Sequence, residues 1–472
     1  MRFWLNGHQT TVDDASADTT VLQYLRASRT SLGTKEGCAS GDCGACTVLV
    51  SGSQGEGPGG ARYQAVNSCL LPLGSVQERQ LLTVEGLSCG AQLHPAQQAL
   101  IDYHGSQCGF CTPGFAMSLA AAAQAASPED TEARRAQVLD AISGNLCRCT
   151  GYKPIVEAGI AACGAGAELP YVAAAAKPAA EPLRGFFQPE TETELRELLA
   201  AHPEARIIAG GTDLMLEATQ AYQSLAPLID VSRIPSLTRI DSAGDTLCIG
   251  AGSTYSAQEQ ALADIAPEYV AFLARLGSRQ IRNRATLGGN ICNASPIADT
   301  PPWLLVQEAE LIIGKPEGGF RYERLEDFYL DYKKTTLRAG EYLADVRLSR
   351  ARLACAAKLY KVSKRYEDDI SAVCGAFLIN PNNQLRIAFG GMAATPKRAR
   401  LTEAFINKQP WQTAENWEAV VAQAGEYLAQ DFTPLTDVRA SKDYRLQLAH
   451  NLLRKACRAW ALGADAEAGV YA

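Results

Sequence analysis

The chain has 472 residues, of which 47% are hydrophobic and 20% charged, with a formal net charge of −7 and a sequence isoelectric point near 5.5. This length favours about three domains, and the apolar content is ample for packed cores. Lysine and arginine are scattered, Met1–Gly7 has no secretory h-region, and no run reaches the ~18 apolar residues that span a bilayer, so we expect a cytoplasmic protein that contacts neither nucleic acid nor membrane.

Residues 1–88 alternate short apolar runs with turns, which favours a small α+β domain. Phe3–Leu5 precedes an Asn-Gly turn, Val21–Leu25 has helical spacing, and Thr47–Val50 forms another apolar run. The loop Gly37–Cys46 lies between Val21–Leu25 and Thr47–Val50, and it is rich in glycine and cysteine. Glycine there lets the backbone fold closely around a bound group and aim N–H groups at it.

The cysteines of this loop have a diagnostic spacing. Cys38, Cys43 and Cys46 make C-x4-C-x2-C, and Cys69 follows, which is the ligand spacing of a plant-type 2Fe-2S centre. An isolated cysteine pair could equally hold zinc or exchange disulfides. Three thiolates crowded into one loop suit a two-iron cluster better, so we expect these four cysteines to bind one.

A second set of four cysteines lies in residues 89–163. Cys108 and Cys111 form C-x2-C, and Cys147 and Cys149 form C-x-C. This spacing is less diagnostic, but Thr112-Pro113-Gly114 predicts a helix start whose positive end would face an anionic cluster. A second 2Fe-2S centre is therefore expected, and two clusters in one chain indicate that electrons are passed along it.

The rest of this region has a helical pattern from Pro95 onward. It includes an Ala-rich run over Phe115–Ala126, a capped start at Ser127–Glu129 and a stop at Gly144, which together predict a small helical bundle. Residues 164–185 are small, contain proline and lack periodicity, as a linker does. The histidines lack metal-ligand spacing, and the remaining cysteines are expected to be structural: Cys89, Cys163, Cys248, Cys292, Cys355, Cys374 and Cys457.

Two glycine pairs mark candidate phosphate-binding loops beyond the linker. A strand runs into Ile207–Leu214, where successive N–H groups and a hydroxyl could hold an anion, and Ala285–Asn290 is followed by Asn293–Asp299. Each pair alone is more typical of a simple tight turn than of a phosphate site. Together, beside two clusters, they predict a flavin dinucleotide bound without a Rossmann fold. Gly55–Gly60 also satisfies G-x-G-x-x-G, but without a following helix it predicts only a hairpin loop.

Several motifs occur in an order that identifies a family. After the first cysteine loop come Gln107–Gly114, Gly144–Tyr152, Ala209–Asp213 and Lys364–Ser371. Over essentially its whole length the chain resembles the small, iron-sulfur and FAD-carrying subunits of the bacterial xanthine dehydrogenases, within the molybdenum hydroxylase family.

The resemblance implies an α+β multidomain fold with four domains and one linker. These are a β-grasp ferredoxin-like 2Fe-2S domain (1–88), a four-helix-bundle 2Fe-2S domain (89–163), the linker (164–185), a vanillyl-alcohol-oxidase-like FAD domain (186–352) and a domain like the C-terminal domain of carbon monoxide dehydrogenase flavoproteins (353–472).

The resemblance also implies the residues that hold FAD. Leu343 and Lys361 would lie near the isoalloxazine edge, where a cation stabilises the anionic reduced ring. Asp368 and Asp369 either cap a helix or lie near a nicotinamide pocket. The remaining expected contacts are Ile207, Ile208, Ala209, Gly210, Gly211, Thr212, Asp213, Leu214, Thr286, Gly289, Asn290, Asn293 and Asp299.

The activity implied is the later part of purine oxidation. A large molybdopterin-binding subunit would oxidise hypoxanthine or xanthine, and this chain would pass the electrons through two clusters and FAD to NAD+, within an α2β2 heterotetramer. No side chain here needs to act as a general acid or base. The rival hypotheses are a related hydroxylase of aldehydes, nicotinate or other heterocycles, a non-catalytic electron carrier, and a zinc-stabilised interaction protein.

Overall fold

The computed structural model describes residues 1–29, 31–51, 63–88, 90–124, 129–170 and 181–463. The Gly55–Gly60 motif, Cys89, Ser127, Pro128 and the middle of the predicted linker lie outside these ranges. The described residues form two compact units. The first unit contains Met1–Pro235, Thr254–Gln260 and Gly277–Thr286, and the second unit contains Ser236–Ser253, Ala261–Leu276 and the chain from Leu287 onward.

The first unit begins with a β-grasp domain. Its elements are β1 (Arg2–Leu5), β2 (His8–Thr11), α1 (Val21–Ala27), β3 (Thr47–Ser51), β4 (Tyr63–Asn67) and β5 (Gln80–Leu82). The strands form one mixed sheet in the order β2-β1-β5-β3-β4, in which only β1 and β5 pair in parallel. Thr20 and Gln23 form a capping box at the start of α1. This helix buries Val21, Leu22 and Leu25, as the predicted helical spacing requires.

Four helices follow. They are α2 (Pro95–Asp102), α3 (Thr112–Ala123), α4 (Thr131–Ala141) and α5 (Lys153–Ala165). The small residues of α3 are buried almost throughout, and a Cβ on Gly159 of α5 would lie 2.7 Å from Leu119, so the helices pack closely. Helix α4 is capped by Asp130, which accepts from the N–H of Ala133, and it ends at Ala141 rather than at the predicted Gly144.

The last part of the first unit is a small parallel sheet. Its elements are β6 (Phe186–Phe187), α6 (Glu192–Ala201), β7 (Arg206–Ile208), α7 (Met215–Thr219) and β8 (Leu228–Asp230). The strand order is β6-β8-β7, and both pairings are parallel. Strand β7 ends one residue before the predicted glycine pair, so the loop lies at the carboxyl edge of this sheet.

The next stretch contributes to both units and carries most of the second predicted FAD segment. Its elements are α8 (Pro235–Thr238), β9 (Ile240–Ala243), β10 (Thr246–Gly250), α9 (Tyr255–Ala261), α10 (Pro267–Leu273), α11 (Arg279–Arg282), α12 (Leu287–Cys292), α13 (Thr300–Val306), β11 (Glu310–Gly314), β12 (Phe320–Arg324), α14 (Leu325–Phe328), β13 (Tyr329–Asp331), β14 (Lys334–Thr335), β15 (Tyr342–Ser349) and α15 (Arg350–Leu353). In the second unit the five-stranded antiparallel sheet has the order β12-β11-β15-β10-β9.

The second unit ends in an antiparallel sheet covered by helices. Its elements are β16 (Ala357–Val362), β17 (Val373–Ile379), β18 (Leu385–Gly390), β19 (Lys397–Arg398), α16 (Arg400–Ile406), α17 (Trp417–Asp431) and α18 (Lys442–Leu462). The strands pair in chain order, and Phe389 meets both Phe377 and Phe432 edge to face in the core. Ser441 caps α18 by accepting a hydrogen bond from the N–H of Tyr444. Within the described ranges, no helix combines the length and apolarity needed to cross a membrane.

Candidate functional site

The first cysteine group lies on the loop between α1 and β3, with its fourth member just after β4. A Cβ on Gly37 would lie 2.8 Å from the Cys43 sulfur, and a Cβ on Gly44 would lie 2.3 Å from the backbone oxygen of Gly144. Gly41 and Gly44 also have φ angles of 84° and 66°, which glycine adopts without strain. The backbone therefore passes close to the thiols because side chains are absent there.

The four thiols of this group form two pairs. Hydrogen bonding to Cys43 lowers the pKa of Cys38 to about 4, and the same contact raises the pKa of Cys43. Likewise, hydrogen bonding between Cys46 and Cys69 lowers the pKa of Cys46 and raises that of Cys69. In each pair one sulfur is therefore favoured as the thiolate, which is the form that binds metal.

Hydrogen-bond donors approach these sulfurs. The backbone N–H of Ser40 donates to the Cys38 sulfur at 3.4 Å, and the side-chain amide of Asn67 donates to the Cys46 sulfur at 3.9 Å. Donors of this kind stabilise thiolates and tune the reduction potential of an iron-sulfur centre.

The second cysteine group also forms two pairs, Cys111 with Cys147 and Cys108 with Cys149. Burial and the contact with Cys147 raise the pKa of Cys111 to about 12, and the hydrogen bond with Cys108 raises the pKa of Cys149. Thr150 donates its backbone N–H to the Cys147 sulfur at 3.5 Å. Cys108 and Cys149 are exposed, whereas Cys111 and Cys147 are half-buried.

Helix α3 begins beside this second group. Cys111 is itself the N-cap residue, and Pro113 is in the first turn, so the helix starts one residue earlier than the sequence predicted. The positive end of α3 is therefore next to a metal-binding candidate, where it favours negative charge.

Both cysteine groups fit 2Fe-2S clusters. A two-iron cluster takes four thiolates, two for each iron, and each group offers two thiol pairs. In the part of the chain that the structure describes, no three His, Cys, Asp or Glu side chains are arranged as ligands of a single metal ion. Four thiols in two pairs match a two-iron cluster, in which each iron takes two of the four thiolates.

The Ile207–Leu214 loop has the geometry of an anion site. A Cβ on Gly210 would lie 2.1 Å from the backbone oxygen of Arg284, and Gly211 has a φ angle of 79°. The Arg284 guanidinium donates to the carbonyls of Ala209 and Gly210 at 3.4 and 3.3 Å. Because N–H and C=O point in opposite directions in a trans peptide, the N–H groups of Gly210 and Gly211 face away from Arg284. They are therefore placed to hold a phosphate on the other side.

The other predicted residues of the first unit flank this turn. Ile207 and Ile208 end β7, and Thr212–Leu214 leads into α7. Thr286 is buried and pairs with Thr254 in an isolated antiparallel bridge. These residues therefore adjoin the turn along the chain or, for Thr286, follow the Arg284–Ala285 backbone that Gly210 approaches, and their contacts with FAD stay predictions.

The second unit carries the remaining predicted FAD residues. Gly289 and Asn290 lie on α12, and Asn293 follows it, with its N–H donating to the Gly289 carbonyl. The Asn290 side-chain oxygen accepts from the Thr300 hydroxyl at 2.7 Å. Helix α12 packs against β15, which carries the buried Leu343. The structure therefore places these four residues on adjoining elements.

Asp299 and Lys361, both predicted FAD contacts, form a buried ion pair with each other. Their side chains are 10% and 3% exposed, and Lys361 Nζ lies 2.8 Å from Asp299 Oδ2. The Ser371 hydroxyl donates to the other carboxylate oxygen at 2.5 Å, and Lys361 also donates to the Arg275 carbonyl at 3.0 Å. Sequence reasoning gave Ser371 and Arg275 no role. No local signal could have done so, because these contacts join residues at least 62 positions apart.

The structure also bears on the two readings of Asp368 and Asp369. The Asp369 carboxylate accepts from the backbone N–H groups of Arg365 and Ile370 at 2.7 and 2.9 Å, and the segment between β16 and β17 contains no helix. Asp369 therefore caps a turn rather than a helix. The nicotinamide reading stays a prediction.

Four family models match successive parts of the chain. A 2Fe-2S iron-sulfur cluster binding domain matches residues 3–73, and a further 2Fe-2S binding domain matches residues 83–159. An FAD binding domain in molybdopterin dehydrogenase matches residues 180–350. A CO dehydrogenase flavoprotein C-terminal domain matches residues 358–460.

Known proteins show the same likeness. The chain is 31% identical to xanthine dehydrogenase 1 of Arabidopsis thaliana, over 86% of this chain, and 29% identical to xanthine dehydrogenase/oxidase of Rattus norvegicus, over 89% of this chain. It spans 36% of the length of each of these relatives.

Solved structures of two enzymes are also similar. They are quinoline 2-oxidoreductase from Pseudomonas putida 86, at 25% identity and a TM-score of 0.52 over 60% of this chain and 97% of that one, and carbon monoxide dehydrogenase from Hydrogenophaga pseudoflava, at 25% identity and a TM-score of 0.52 over 57% and 94%.

Proposed function

The chain belongs to the molybdenum hydroxylase family, as its iron-sulfur and FAD-binding part, and from this premise we propose that it is the electron-transfer subunit of a xanthine dehydrogenase. The cofactors supply complementary chemistry, because 2Fe-2S clusters exchange single electrons whereas FAD exchanges two and can deliver hydride. The chain's own contribution is to hold these groups, to tune them through hydrogen bonds and nearby charge, and to keep them in a fixed order.

The choice of xanthine as the substrate rests on the share of this chain that each relative matches. A single alignment with xanthine dehydrogenase 1 of Arabidopsis thaliana extends over 86% of this chain. The carbon monoxide dehydrogenase and quinoline 2-oxidoreductase chains each correspond to at most 60% of it. One alignment with a xanthine dehydrogenase thus includes both cysteine groups together with the FAD and C-terminal parts, and this supports the proposal.

We propose the following residue roles. The metal ligands are Cys38, Cys43, Cys46 and Cys69 for the first centre and Cys108, Cys111, Cys147 and Cys149 for the second. Ile207–Leu214 and Thr286 hold the FAD pyrophosphate, together with Gly289, Asn290, Asn293 and Asp299. Leu343 and Lys361 lie at the isoalloxazine edge. The fit of the paired thiols and of the glycine turn supports these roles.

The partner in this proposal is a large subunit with the molybdenum cofactor and the purine site, in an α2β2 assembly. Two electrons leave the purine, with the new oxygen taken from water, and NAD+ accepts them as hydride. Every described cysteine is a free thiol, which fits a reducing compartment such as the cytoplasm.

The test is an assay of the complex purified anaerobically from its native cell. We expect xanthine and hypoxanthine to reduce NAD+ with formation of urate, and iron and FAD to copurify with this chain. Parallel assays with an aldehyde, nicotinate, quinoline and carbon monoxide test the rival hydroxylases, which the solved neighbours favour. Turnover of one of these without turnover of xanthine would reject the proposed substrate but not the family.

The electron-carrier alternative needs a separate measurement. The isolated chain, loaded with its cofactors, should oxidise NADH and reduce an artificial dye. If it exchanges electrons with the dye but never with NADH or NAD+, the chain is a carrier and the proposed acceptor is wrong.

A further inference from the structure

A buried network of polar side chains joins the two cysteine loops inside the first unit. Gln280 on α11 donates its side-chain amide to Asn145 Oδ1 at 2.8 Å and to the Ser118 hydroxyl at 3.0 Å. Ser118 donates to the same Asn145 oxygen at 2.7 Å. These side chains are at most 2% exposed, so water does not compete for their hydrogen bonds.

The network fixes which way the Asn145 amide faces. Because its oxygen accepts from Gln280 and Ser118, its NH2 group must point the other way, and it donates to the Gly44 carbonyl at 3.1 Å. The Thr47 hydroxyl donates to the same carbonyl at 2.6 Å. Asn145 lies two residues before Cys147, and Gly44 directly follows Cys43. The Asn145 amide thus links the two cysteine loops, beside a backbone hydrogen bond from the Leu146 N–H to the Cys43 carbonyl at 3.0 Å.

The held carbonyl has a consequence for the nearest sulfur. The Gly44 carbonyl and the Ala45 N–H belong to one trans peptide, so they point in opposite directions. The Ala45 N–H donates to the Cys43 sulfur. Fixing the Gly44 oxygen on the Asn145 side therefore aims the Ala45 N–H at a proposed cluster ligand.

The position of Gln280 is itself fixed by charge. On the same short helix, Arg279 forms ion pairs with Asp140 of α4 and with Glu259, the latter at 2.7 Å. The fully buried Arg282 pairs with the same two carboxylates. These two arginines, of which Arg282 is fully buried and Arg279 partly exposed, each pair with two carboxylates. They hold α11 against α4 of the helical bundle, and so hold the Gln280 amide where it meets Asn145.

We propose that Gln280 is a positioning residue for the first 2Fe-2S centre, which acts through Asn145 and the Gly44–Ala45 peptide to raise the reduction potential of that centre. An N–H aimed at a cluster sulfur stabilises the more negative, reduced state, and loosening it favours the oxidised state. The inference rests on the proposed function, because it takes Cys43 as a ligand.

The test is an EPR-monitored redox titration of the cofactor-loaded chain and two variants. Gln280→Met keeps the length of the side chain but removes its amide. Ser118→Ala removes one hydroxyl from the alanine-rich α3, so it will fold even if the first variant does not. We expect a lower midpoint potential and an altered EPR signal for the first centre, with unchanged iron content and an unchanged second centre. Signals are assigned with Cys43→Ala and Cys111→Ala.

Gln307→Met is the matched control, because Gln307 is also a buried glutamine whose side-chain oxygen has no hydrogen-bond partner among the described residues but lies in the second unit. It should leave both potentials unchanged. Wild-type potentials and spectra in iron-loaded Gln280→Met and Ser118→Ala would overturn the inference alone. Absence of both cluster signals from the unmodified chain would instead reject the proposed function, and the inference with it.

Discussion

At the scale of single residues, the buried Asp299–Lys361 ion pair should affect both the stability of the fold and the proposed flavin site. Removing one partner of a buried ion pair leaves the other charge uncompensated, which costs about 3–5 kcal/mol. We therefore expect Lys361→Met to lower the free energy of unfolding of the second unit by about 3 kcal/mol, measured by urea unfolding of the FAD-loaded chain. Because Ser371 still donates its hydrogen bond to Asp299 in this variant, we expect the loss of stability to lie at the lower end of that range.

The same variant reports on the proposed place of Lys361 at the isoalloxazine edge. Loss of the cation should lower the midpoint potential of FAD, because the anionic reduced ring loses its stabilisation. Lys334→Met, at an exposed position on β14, is the control and should change stability by no more than about 0.5 kcal/mol. An unchanged flavin potential in Lys361→Met would show that the lysine serves the fold only.

At the scale of elements, a substitution in the turn after β7 should affect FAD binding without affecting the iron-sulfur centres. Gly210→Ala places a methyl group 2.1 Å from the backbone oxygen of Arg284, and a backbone atom cannot move aside as a side-chain tip can. We expect this variant to lose most of its FAD while keeping its iron, as measured by flavin absorbance and metal analysis.

The control for that prediction is Gly244→Asn in the β9–β10 turn. Gly244 has a φ angle of 59° and open space around it, and asparagine tolerates this conformation. It should retain full FAD content. Full FAD content in Gly210→Ala would mean that the close approach to Arg284 does not shape the pyrophosphate site.

Elements with local signals were predictable from the sequence. The helical spacing of Val21–Leu25 predicted α1, and an apolar run followed by a glycine pair predicted strand β7 and the turn after it. The Gly37–Cys46 loop likewise lies between α1 and β3, as the apolar runs on either side of it predicted.

Contacts between distant segments could not be predicted. Helix α11 has four residues and no sequence motif. Its side chains form hydrogen bonds with Asp140 and Asn145, which are at least 135 positions away in the sequence. Asp299 and Lys361 were both expected at the flavin, yet nothing in the sequence shows that they pair with each other. The start of α3 at Thr112, with Cys111 as its cap, depends on how the thiol group folds rather than on capping propensity.

At the scale of the whole molecule, the proposed order of cofactors predicts which activities survive which substitution. If electrons pass from the molybdenum partner through the second cysteine group toward FAD, Cys111→Ala should abolish xanthine-dependent NAD+ reduction by the complex. It should leave NADH-dependent dye reduction by this chain intact, because that reaction needs only the flavin. Gly210→Ala should abolish both, because it acts at the shared final carrier.

Cys457→Ala completes the set, because Cys457 is fully buried in α18 and belongs to neither cysteine group. It should retain both activities. We would measure the steady-state rates of both reactions, and the iron and FAD contents, on the same preparations. These rates show whether electrons pass through the cofactors one after another or whether the cofactors act independently. If Cys111→Ala lost dye reduction in proportion to xanthine oxidation while keeping its FAD, the second cysteine group would not lie upstream of the flavin, and the serial arrangement would have to be abandoned.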